Sequence, residues 1–514
     1  MTSTRVRLDT LPRNTALFLD FLNRFDKVAA FYEHRPFQWE EFPRAAAAID
    51  YPVERRRALV EALRAQNGAG ASIELLAQPE TVVVATGQQV GLFSGPAYTV
   101  YKALTAARLA ARLREQGIPA VAVFWLATED HDFDEVNHCW VFGADQAPVR
   151  LEAGAEAGGR RPVGSIGVPA PPVAELRAAL SELPFAEQVV DWVADSYAPG
   201  RTLGEAFQGL LQKVLASQGL LFLDPLRAEI RQMAAPILYQ AGKATAELNA
   251  SLLERGRQLK AAGYHEQVRV EAQKPLFFRL ENGRRMAVRE GQIEAALEAP
   301  EQLSPNALLR PVVADYLMPT VANVVGPAEV AYLAQSQVLH RALLGRSPVI
   351  VPRNGFTILD ARAARMVKKF ALTLGDLLLS GDALSEKLGR ALTPRVVSRT
   401  LGRSQMNAEE ALDRVVEILA RFDPTLGSAA EKSRSKILSQ FSKLERKVSR
   451  ETVRRDERAS RDAVRLANLV YPRKHLQERF YSILPFLARH GPELIDGLYE
   501  NVDLDSPDHH LLAV

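Results

Sequence analysis

Residues 81–138 read TVVVATGQQVGLFSGPAYTVYKALTAARLAARLREQGIPAVAVFWLATEDHDFDEVNH, and their pattern decides the fold. Thr81-Val82-Val83-Val84-Ala85-Thr86 is a short β-branched run of the kind buried on both faces of a sheet. It stops at Gly87, and GQQVGLFSGP (87–96) has the glycines and proline of a loop. Residues 97–116 carry Ala, Leu and Arg at helical period, with Gly117 placed as a helix C-cap ahead of Pro119. A second apolar run, from Ala120 to Leu126, ends in the polar segment 128–138. Strand, loop, helix and strand make a βαβ unit, which implies a parallel sheet with right-handed crossovers. Ligands of such sheets bind beyond the carboxyl ends of the strands. The polar runs 86–95 and 128–138 each follow a strand directly, so they are predicted to lie side by side at that edge. One pocket is expected to be lined by Gln88, Gln89, Asp130, His131 and Asp134.

Outward from this unit, residues 1–80 read as amphipathic helices, with Leu17, Phe18, Phe21 and Leu22 and again Val60, Ala62 and Leu63 at helical spacing. Residues 143–172, rich in Gly, Pro and Ala, read as an irregular or β-rich insertion. Helical patterning returns over 173–262. Short strands are expected at 266–271, 276–280 and 285–289, and the segments 308–326 and 348–352 are candidates to rejoin the core sheet. From about residue 365 glycine thins out and charge rises. Leu412, Val415, Val416, Leu419 and Phe422 share a face, FDPTLGS (422–428) reads as a turn, and Ile437, Phe441, Leu444 and Val448 form a heptad seam. These features predict an antiparallel helical hairpin over 405–470. Its own first helix is not expected to cover the whole seam, so the hairpin is expected to make a homodimer. Between 429 and 462 there are 11 Lys/Arg against 6 Asp/Glu, which reads first as a solvated coiled-coil face. Interleaved aromatics are nearly absent there, which argues against single-stranded nucleic-acid binding.

The 514 residues are 47% hydrophobic and 24% charged, a globular composition that excludes bulk disorder. Lys and Arg outnumber Asp and Glu by only 64 to 61, too even a balance to advertise nucleic acid or a membrane surface. Cys139 is the one cysteine, so no disulfide forms within the chain. The N-terminal stretch is interrupted by Asp20, Asn23 and Arg24 and lacks a signal peptide's apolar segment. No run approaches the length of a transmembrane helix, and a cytoplasmic protein is expected.

Three groups of residues invite chemistry. Around 86–96, glycines can turn backbone N–H groups toward an anion, and paired amides at Gln88 and Gln89 can read a polar small molecule. The spacing fits neither a Walker A loop nor the dinucleotide fingerprint. Tyr98 and Lys102 share a face of the helix that follows, and Lys102 can reach a phosphate or carboxylate or lie at the surface. The segment 128–138 holds five acids and two histidines in eleven residues. Such a concentration of like charge needs a cation, a basic partner or solvent. It suits a cation-binding or acid–base site, a divalent metal site, or a solvated loop. The neighbouring acids are expected to raise the pKa of His131 and favour a charged donor. In the third group, Asn323, Gly326, Pro327 and Glu329 sit where a strand turns into a helix.

Together TGQQVGLFSGPAYTVYK (86–102), FWLATEDHDFDEVNH (124–138), LRPVVADYLMPTVANVVGPAEVAYLAQ (309–335) and LQERFYSILPFLARHG (476–491) resemble, in order and over nearly the whole chain, the bacillithiol biosynthesis cysteine-adding enzymes, the BshC family of cysteine ligases. The resemblance implies an α/β fold with a Rossmann-like core similar to class I aminoacyl-tRNA synthetases, connecting-peptide insertions and a coiled-coil arm that dimerises. The domains expected are a core over 1–370, with insertions over about 143–300, an arm over 371–470, and a helical C-terminal segment over 471–514 that docks on the core. The implied reaction joins cysteine to the amine of glucosaminyl malate, with ATP or another nucleotide activating the carboxylate and no metal assigned. Candidate catalytic residues are His131, Asp130, Gln88 and Gln89. Candidate substrate ligands are Thr86, Gly87, Ser94, Tyr98, Lys102, Asp132, Asp134, Asn323 and Glu329, with Arg473 and Arg479 for the nucleotide. The chain departs from synthetases in carrying Gln88 and Gln89 where they have a histidine motif, and Ser385-Glu386-Lys387-Leu388 matches their KMSKS poorly. A metal-dependent hydrolase using 128–138 and a non-catalytic scaffold displaying the arm are the competing readings.

Overall fold

The two apolar runs of the βαβ unit become β1 (Val82–Gln88) and β2 (Ala120–Leu126), paired in parallel with Gly87 opposite Trp125 and Gln88 opposite Leu126. The computed structural model describes residues 1–154, 159–168, 170–379 and 381–514. Strands β3 (Leu221–Leu223), β4 (Thr320–Val325) and β5 (Val349–Pro352) complete a parallel sheet of order β5-β4-β1-β2-β3. All seven residues of β2 are buried, as a strand covered on both faces requires. Alternate side chains serve different layers: Val83, Ala85, Val121, Val123 and Trp125 pack together, and Val82, Val84, Ala120 and Ala122 pack in a separate cluster.

Helix α1 (Tyr98–Glu115) carries the chain from β1 to β2, and α2 (Pro327–Leu344) carries it from β4 to β5. Gly117, at φ 84°, turns the chain after α1 as predicted. At the start of α2, Pro327 occupies the first turn and Glu329 accepts a 2.8 Å hydrogen bond from the Gly326 N–H. The chain builds β2 and β3 to one side of β1, then returns to add β4 and β5 on the other. The sheet's switch point therefore lies between β1 and β4, where open α/β sheets bind their ligands.

Outside this unit the structure corrects several expectations. Residues 266–271 form no strand, because the Gln335 amide occupies both backbone groups of Val268, at 2.9 Å to its N–H and 2.8 Å to its carbonyl. The small sheet there joins Phe277–Glu281 to Arg284–Ala287 and Leu303–Pro305. Asn282 and Gly283, both at positive φ, set its hairpin turn. Segment 308–326 divides at its prolines: Pro311 opens a helix over Arg310–Leu317, and β4 begins after Pro319. Within 173–262, read as helical, three residues form β3. Part of the 143–172 insertion, residues 155–158 and 169, lies outside the described residues.

The two ends of the chain meet. Thr2–Val6 pairs antiparallel with His509–Ala513, which pairs in parallel with Gly355–Leu359. The C-terminal segment is thus not wholly helical, although it includes helices over Leu484–His490 and Leu494–Glu500. On the far side of Gly355–Leu359 the Gln477 side chain brackets Ile358, accepting from its N–H at 2.7 Å and donating to its carbonyl at 2.9 Å.

The arm consists of α3 (Arg395–Phe422) and α4 (Pro424–Arg455). The predicted turn shrinks to one residue. Asp423 caps α4 by accepting from the N–H groups of Thr425 and Leu426 at 2.7 and 3.1 Å, and Pro424 fits the first turn. A Cβ on Gly427 would lie 2.8 Å from the Ala420 Cα, so glycine permits this tight corner. Phe441 and Val448 are half-buried in the hairpin, but Ile437 and Leu444 stay 41% and 45% exposed, alongside Val415, Ile418 and Phe422. Among the described residues no helix is long and apolar enough to cross a membrane.

Candidate active site

A cavity of about 530 Å³ opens beyond the carboxyl ends of β1, β2, β4 and β5, at the switch point. β1 brings Gly87 and Gln88 to its floor. A Cβ on Gly87 would lie 2.8 Å from the Trp125 carbonyl oxygen on β2, so only glycine fits where these strands converge. The Lys102 ammonium, carried by α1, donates to the Gly87 carbonyl at 2.8 Å and to Gln88 Oε1 at 3.0 Å, and pairs with the Glu329 carboxylate on α2. Its three donors are thereby spent. Gln88 Nε2 donates to the Tyr98 hydroxyl at 3.1 Å. Burial pushes the Lys102 pKa down against Glu329, while burial of Glu329 is outweighed by Lys102, the Gly326 N–H and Arg310, which hold its carboxyl low. Glu329 is therefore ionised at neutral pH.

The acidic run supplies the neighbouring wall. Asp130 accepts from Gln89 Nε2 at 2.8 Å and from the His131 N–H at 2.7 Å. Its burial would raise the pKa, but these donors and Arg285 bring it below the ordinary carboxylate value. Glu129 is buried against Arg231 at 3.1 Å, and burial raises its carboxyl. His131, expected in the pocket, does not line the cavity: its ring lies beside Asp130, 3.7 Å from a carboxylate oxygen, with Arg285 Nη1 3.4 Å from its Nδ1. Burial first, then Arg285 and Arg160, lower the His131 pKa, outweighing Asp130 and Asp132. The expected rise is reversed, because burial and then the Arg285 guanidinium from the small sheet oppose the cation, and the neutral form of His131 is favoured.

Of the candidate residues, Gln88, Gln89, Gly87, Tyr98, Lys102, Asp130, Glu329 and Arg479 border the cavity. Others are placed elsewhere. The Thr86 hydroxyl bonds the Val324 carbonyl at 2.8 Å and ties β1 to β4. Ser94 is buried beside Ser482. The loop around it is no anion cradle, because the Gly91 and Gly95 N–H groups bond carbonyls of their own turn and the Phe93 N–H bonds the Tyr197 hydroxyl. Asp132 caps the short helix Phe133–Val136, on which Asp134 is exposed, so Asp134 does not line the pocket. Asn323 donates to Asp315, which also bonds His340 at 2.8 Å. Arg473 lies 4.3 Å over the Trp140 ring, outside the cavity. Ser385 to Leu388 fall inside the helix Gly381–Leu392, with Lys387 paired to Asp376, and form no loop.

Three arginines were not anticipated as site residues. Arg353 follows β5 directly, so the strand-end rule that points to Gln88 points to it too. Its guanidinium grips Glu478 through two bonds of 3.0 and 2.6 Å. Arg310 donates to the Tyr332 hydroxyl at 2.7 Å. Arg285 is anchored by Ser304 Oγ at 3.0 Å and the Pro305 carbonyl at 2.7 Å; it comes from the insertion, and no local pattern marks it. Cations thus outnumber carboxylates around the cavity, Lys102, Arg285, Arg310, Arg353 and Arg479 against Glu129, Asp130 and Glu329. Tyr98, Arg353 and Arg479 also border an adjoining cavity of about 430 Å³ flanked by Arg13, Lys474 and His475. Among the described residues no three His, Cys, Asp or Glu side chains gather as metal ligands. Carboxylates of 128–138 are held by protein groups, Glu129 by Arg231, Asp130 and Glu135 by the Gln89 amide and Asp132 by the Glu135 N–H, which does not favour the hydrolase reading. Cys139 is buried, and burial raises its thiol pKa.

Residues 1–354 match the family model described as Bacillithiol biosynthesis BshC, N-terminal Rossmann-like domain, and residues 356–514 match Bacillithiol biosynthesis BshC, C-terminal coiled-coil domain. The chain is 47% identical to the "Putative cysteine ligase BshC" of Solibacter usitatus over the full length of both proteins. It is 35% identical to the protein of the same name from Koribacter versatilis, covering 99% of each. The Salinibacter ruber protein, again of that name, is 29% identical over 97% of this chain and 96% of its own.

Proposed function

This chain belongs to the BshC family of bacillithiol biosynthesis, and on that premise we propose that it joins the carboxyl group of cysteine to the amine of glucosaminyl malate, forming the amide of bacillithiol in the cytoplasm. The observation that carries this reading is the cavity at the switch point, where amides, carboxylates and guanidinium groups converge within one enclosure. A zwitterionic amino acid and an anionic amino sugar both find opposite charges there.

An amine attacks only when neutral and sheds a proton as the amide forms. That proton leaves to solvent, and His131 assists at the acyl oxygen instead. With an Arg285 N–H directed at Nδ1, its Nε2 carries the proton and offers a hydrogen bond to the acyl oxygen as charge develops there. Lys102 and Glu329 fix Gln88, and Asp130 fixes Gln89, so both amides are held in place for the substrates.

Amide formation from a free carboxylate in water is uphill, and we assign the activation to ATP or another nucleotide, which turns a carboxylate oxygen into a leaving group. The residues fit a polyphosphate: Arg13 and Lys474 flank the adjoining cavity. The exposed apolar stripe on α3 and α4 supports a homodimer formed through the arm. Mass spectrometry of products from purified protein, glucosaminyl malate, cysteine and ATP tests the function. The cysteinyl amide should appear and should vanish when either cysteine or nucleotide is omitted. Product formed without cysteine, or no amide with any nucleoside triphosphate, would refute the reading.

A further inference from the structure

Fixed charge in the cavity is sorted along the sheet. Beyond β2 stands Asp130, with side-chain exposure of 32%. Gln89 and the His131 N–H each donate to one of its oxygens and Arg285 lies nearby, but a carboxylate has about four acceptor positions and among the described residues Asp130 makes no direct ion pair with an arginine or lysine, so it keeps capacity for a cation. Its neighbour Glu129 is already committed to Arg231. The wall at this end is apolar, formed by Trp125, Val268 and Phe278.

On the far side of β1, beyond β4 and β5, the balance reverses. Lys102 and Arg353 each have a carboxylate partner. Arg310 and Arg479 do not: among the described residues Arg310 has the Tyr332 hydroxyl alone as side-chain hydrogen-bond partner, and Arg479 lies over the Tyr98 ring with no ion pair. Neither guanidinium makes a direct ion pair, although Glu329 lies near Arg310 and Glu478, itself bound to Arg353, lies near Arg479. Adjacent strands lie about 4.8 Å apart, so the ends of β2 and β4, two spacings apart in the sheet, are separated by roughly 10 Å.

We propose that the amino-acid substrate binds at the β2 pole, its ammonium on Asp130 and its side chain against the apolar wall, while the acceptor's two carboxylates bind Arg310 and Arg479 at the opposite pole. The amine and the acyl carbon then meet between the poles, above Gln88. The pocket accordingly selects a dianionic acceptor. This assignment rests on the ligase reading and adds an orientation and a specificity to it.

Isothermal titration calorimetry on the full chain tests it with three ligands: cysteine, glucosaminyl malate, and the analogue in which lactate replaces malate and one carboxylate is lost. Asp130→Asn should weaken cysteine at least about tenfold and leave glucosaminyl malate within about twofold, and Arg310→Gln should do the reverse. The wild-type protein should bind the lactyl analogue about tenfold more weakly than glucosaminyl malate, a comparison that needs no variant to fold. If both ligands bind but each variant weakens both alike, or the lactyl analogue binds as tightly as the malyl compound, the assignment is overturned while the ligase reading stands. If the wild type binds neither cysteine nor glucosaminyl malate, the ligase reading falls and takes the assignment with it.

Discussion

Glu478→Gln should destabilise the docking of the C-terminal segment far more than its small change in shape suggests. Glu478 and Arg353 are 4% and 6% exposed, and two bonds of 3.0 and 2.6 Å join them across the boundary between the two matched domains. The same carboxylate accepts from the Phe356 N–H at 3.2 Å. Glutamine keeps the size and can keep that last bond, but it leaves a buried guanidinium without its charge partner. Removing one member of a buried pair costs about 3–5 kcal/mol. Arg353 also borders the cavity, where water relieves part of that cost, so about 3 kcal/mol is expected. For a domain the size of residues 356–514 this corresponds to a fall of roughly 6–12 °C in melting temperature, read by circular dichroism. Arg353→Met combined with Glu478→Gln removes both charges and should recover most of the loss. Burial alone would raise the Glu478 carboxyl, but Arg353, aided by His509 and Arg479, holds it below its ordinary value. Its stabilisation is then present above the unfolded value of about 4.3 and disappears as pH falls through the lower folded value, so wild type and Glu478→Gln should converge in acid. The reasoning is refuted if Glu478→Gln melts within about 2 °C of wild type at neutral pH, or if the double variant is less stable than either single one.

The pH–rate profile of kcat/KM should carry an acid limb with its midpoint below the ordinary histidine value of about 6.5, since a proton on His131 Nδ1 would face the Arg285 N–H and displace the imidazole. His131→Asn should lose about 10²–10⁴ in rate and abolish that limb, and a limb that persists in the variant would assign it to another group. Gly87→Ala places a methyl 2.8 Å from the Trp125 carbonyl and should cost about 1–3 kcal/mol in a thermal melt, whereas an unchanged melting temperature would mean that β1 and β2 separate easily. Replacing Ile418 and Phe422 with glutamate should turn the proposed arm-mediated dimer into a helical monomer in sedimentation velocity. A variant that still sediments as a dimer would place the contact off the arm.

The sheet was legible because β1 and β2 are unbroken apolar runs with an amphipathic helix between them, a pattern that leaves few alternatives. The same reading brought Gln88, Gln89 and Asp130 together, since each follows its strand within a few residues. It failed at Thr86 and Ser94. A glycine loop announces a turn but not where its N–H groups point, and here they turn inward to carbonyls and to Tyr197. It failed also on the charge of His131. The acids beside it in sequence are outweighed by burial and by Arg285, which arrives from an insertion more than a hundred residues away. The pairing of Lys102 with Glu329 has the same character: each residue could be singled out locally, but not the contact between them. On the arm, the heptad seam revealed the hairpin, while the single-residue corner at Asp423 depended on a cap that looks like part of a longer turn.

The meeting of Thr2–Val6 with His509–Ala513 sets a timetable for synthesis. The strand at 2–6 leaves the ribosome long before its partner exists, and the strand at 355–359 must wait for the same late arrival. Throughout elongation both remain open edges, the form of backbone that recruits wrong neighbours. The sequence handles the two differently. Residues 2–6 read TSTRV, a polar stretch with little reason to adhere to anything in the interval. The apolar Gly355–Leu359 is released with the Gln477 amide following well ahead of residue 509, and that amide can cover one of its edges first. Only residues 509–513 can finish this sheet, so a nascent chain stalled short of them holds a complete parallel sheet and cavity floor but leaves Thr2–Val6 unpaired.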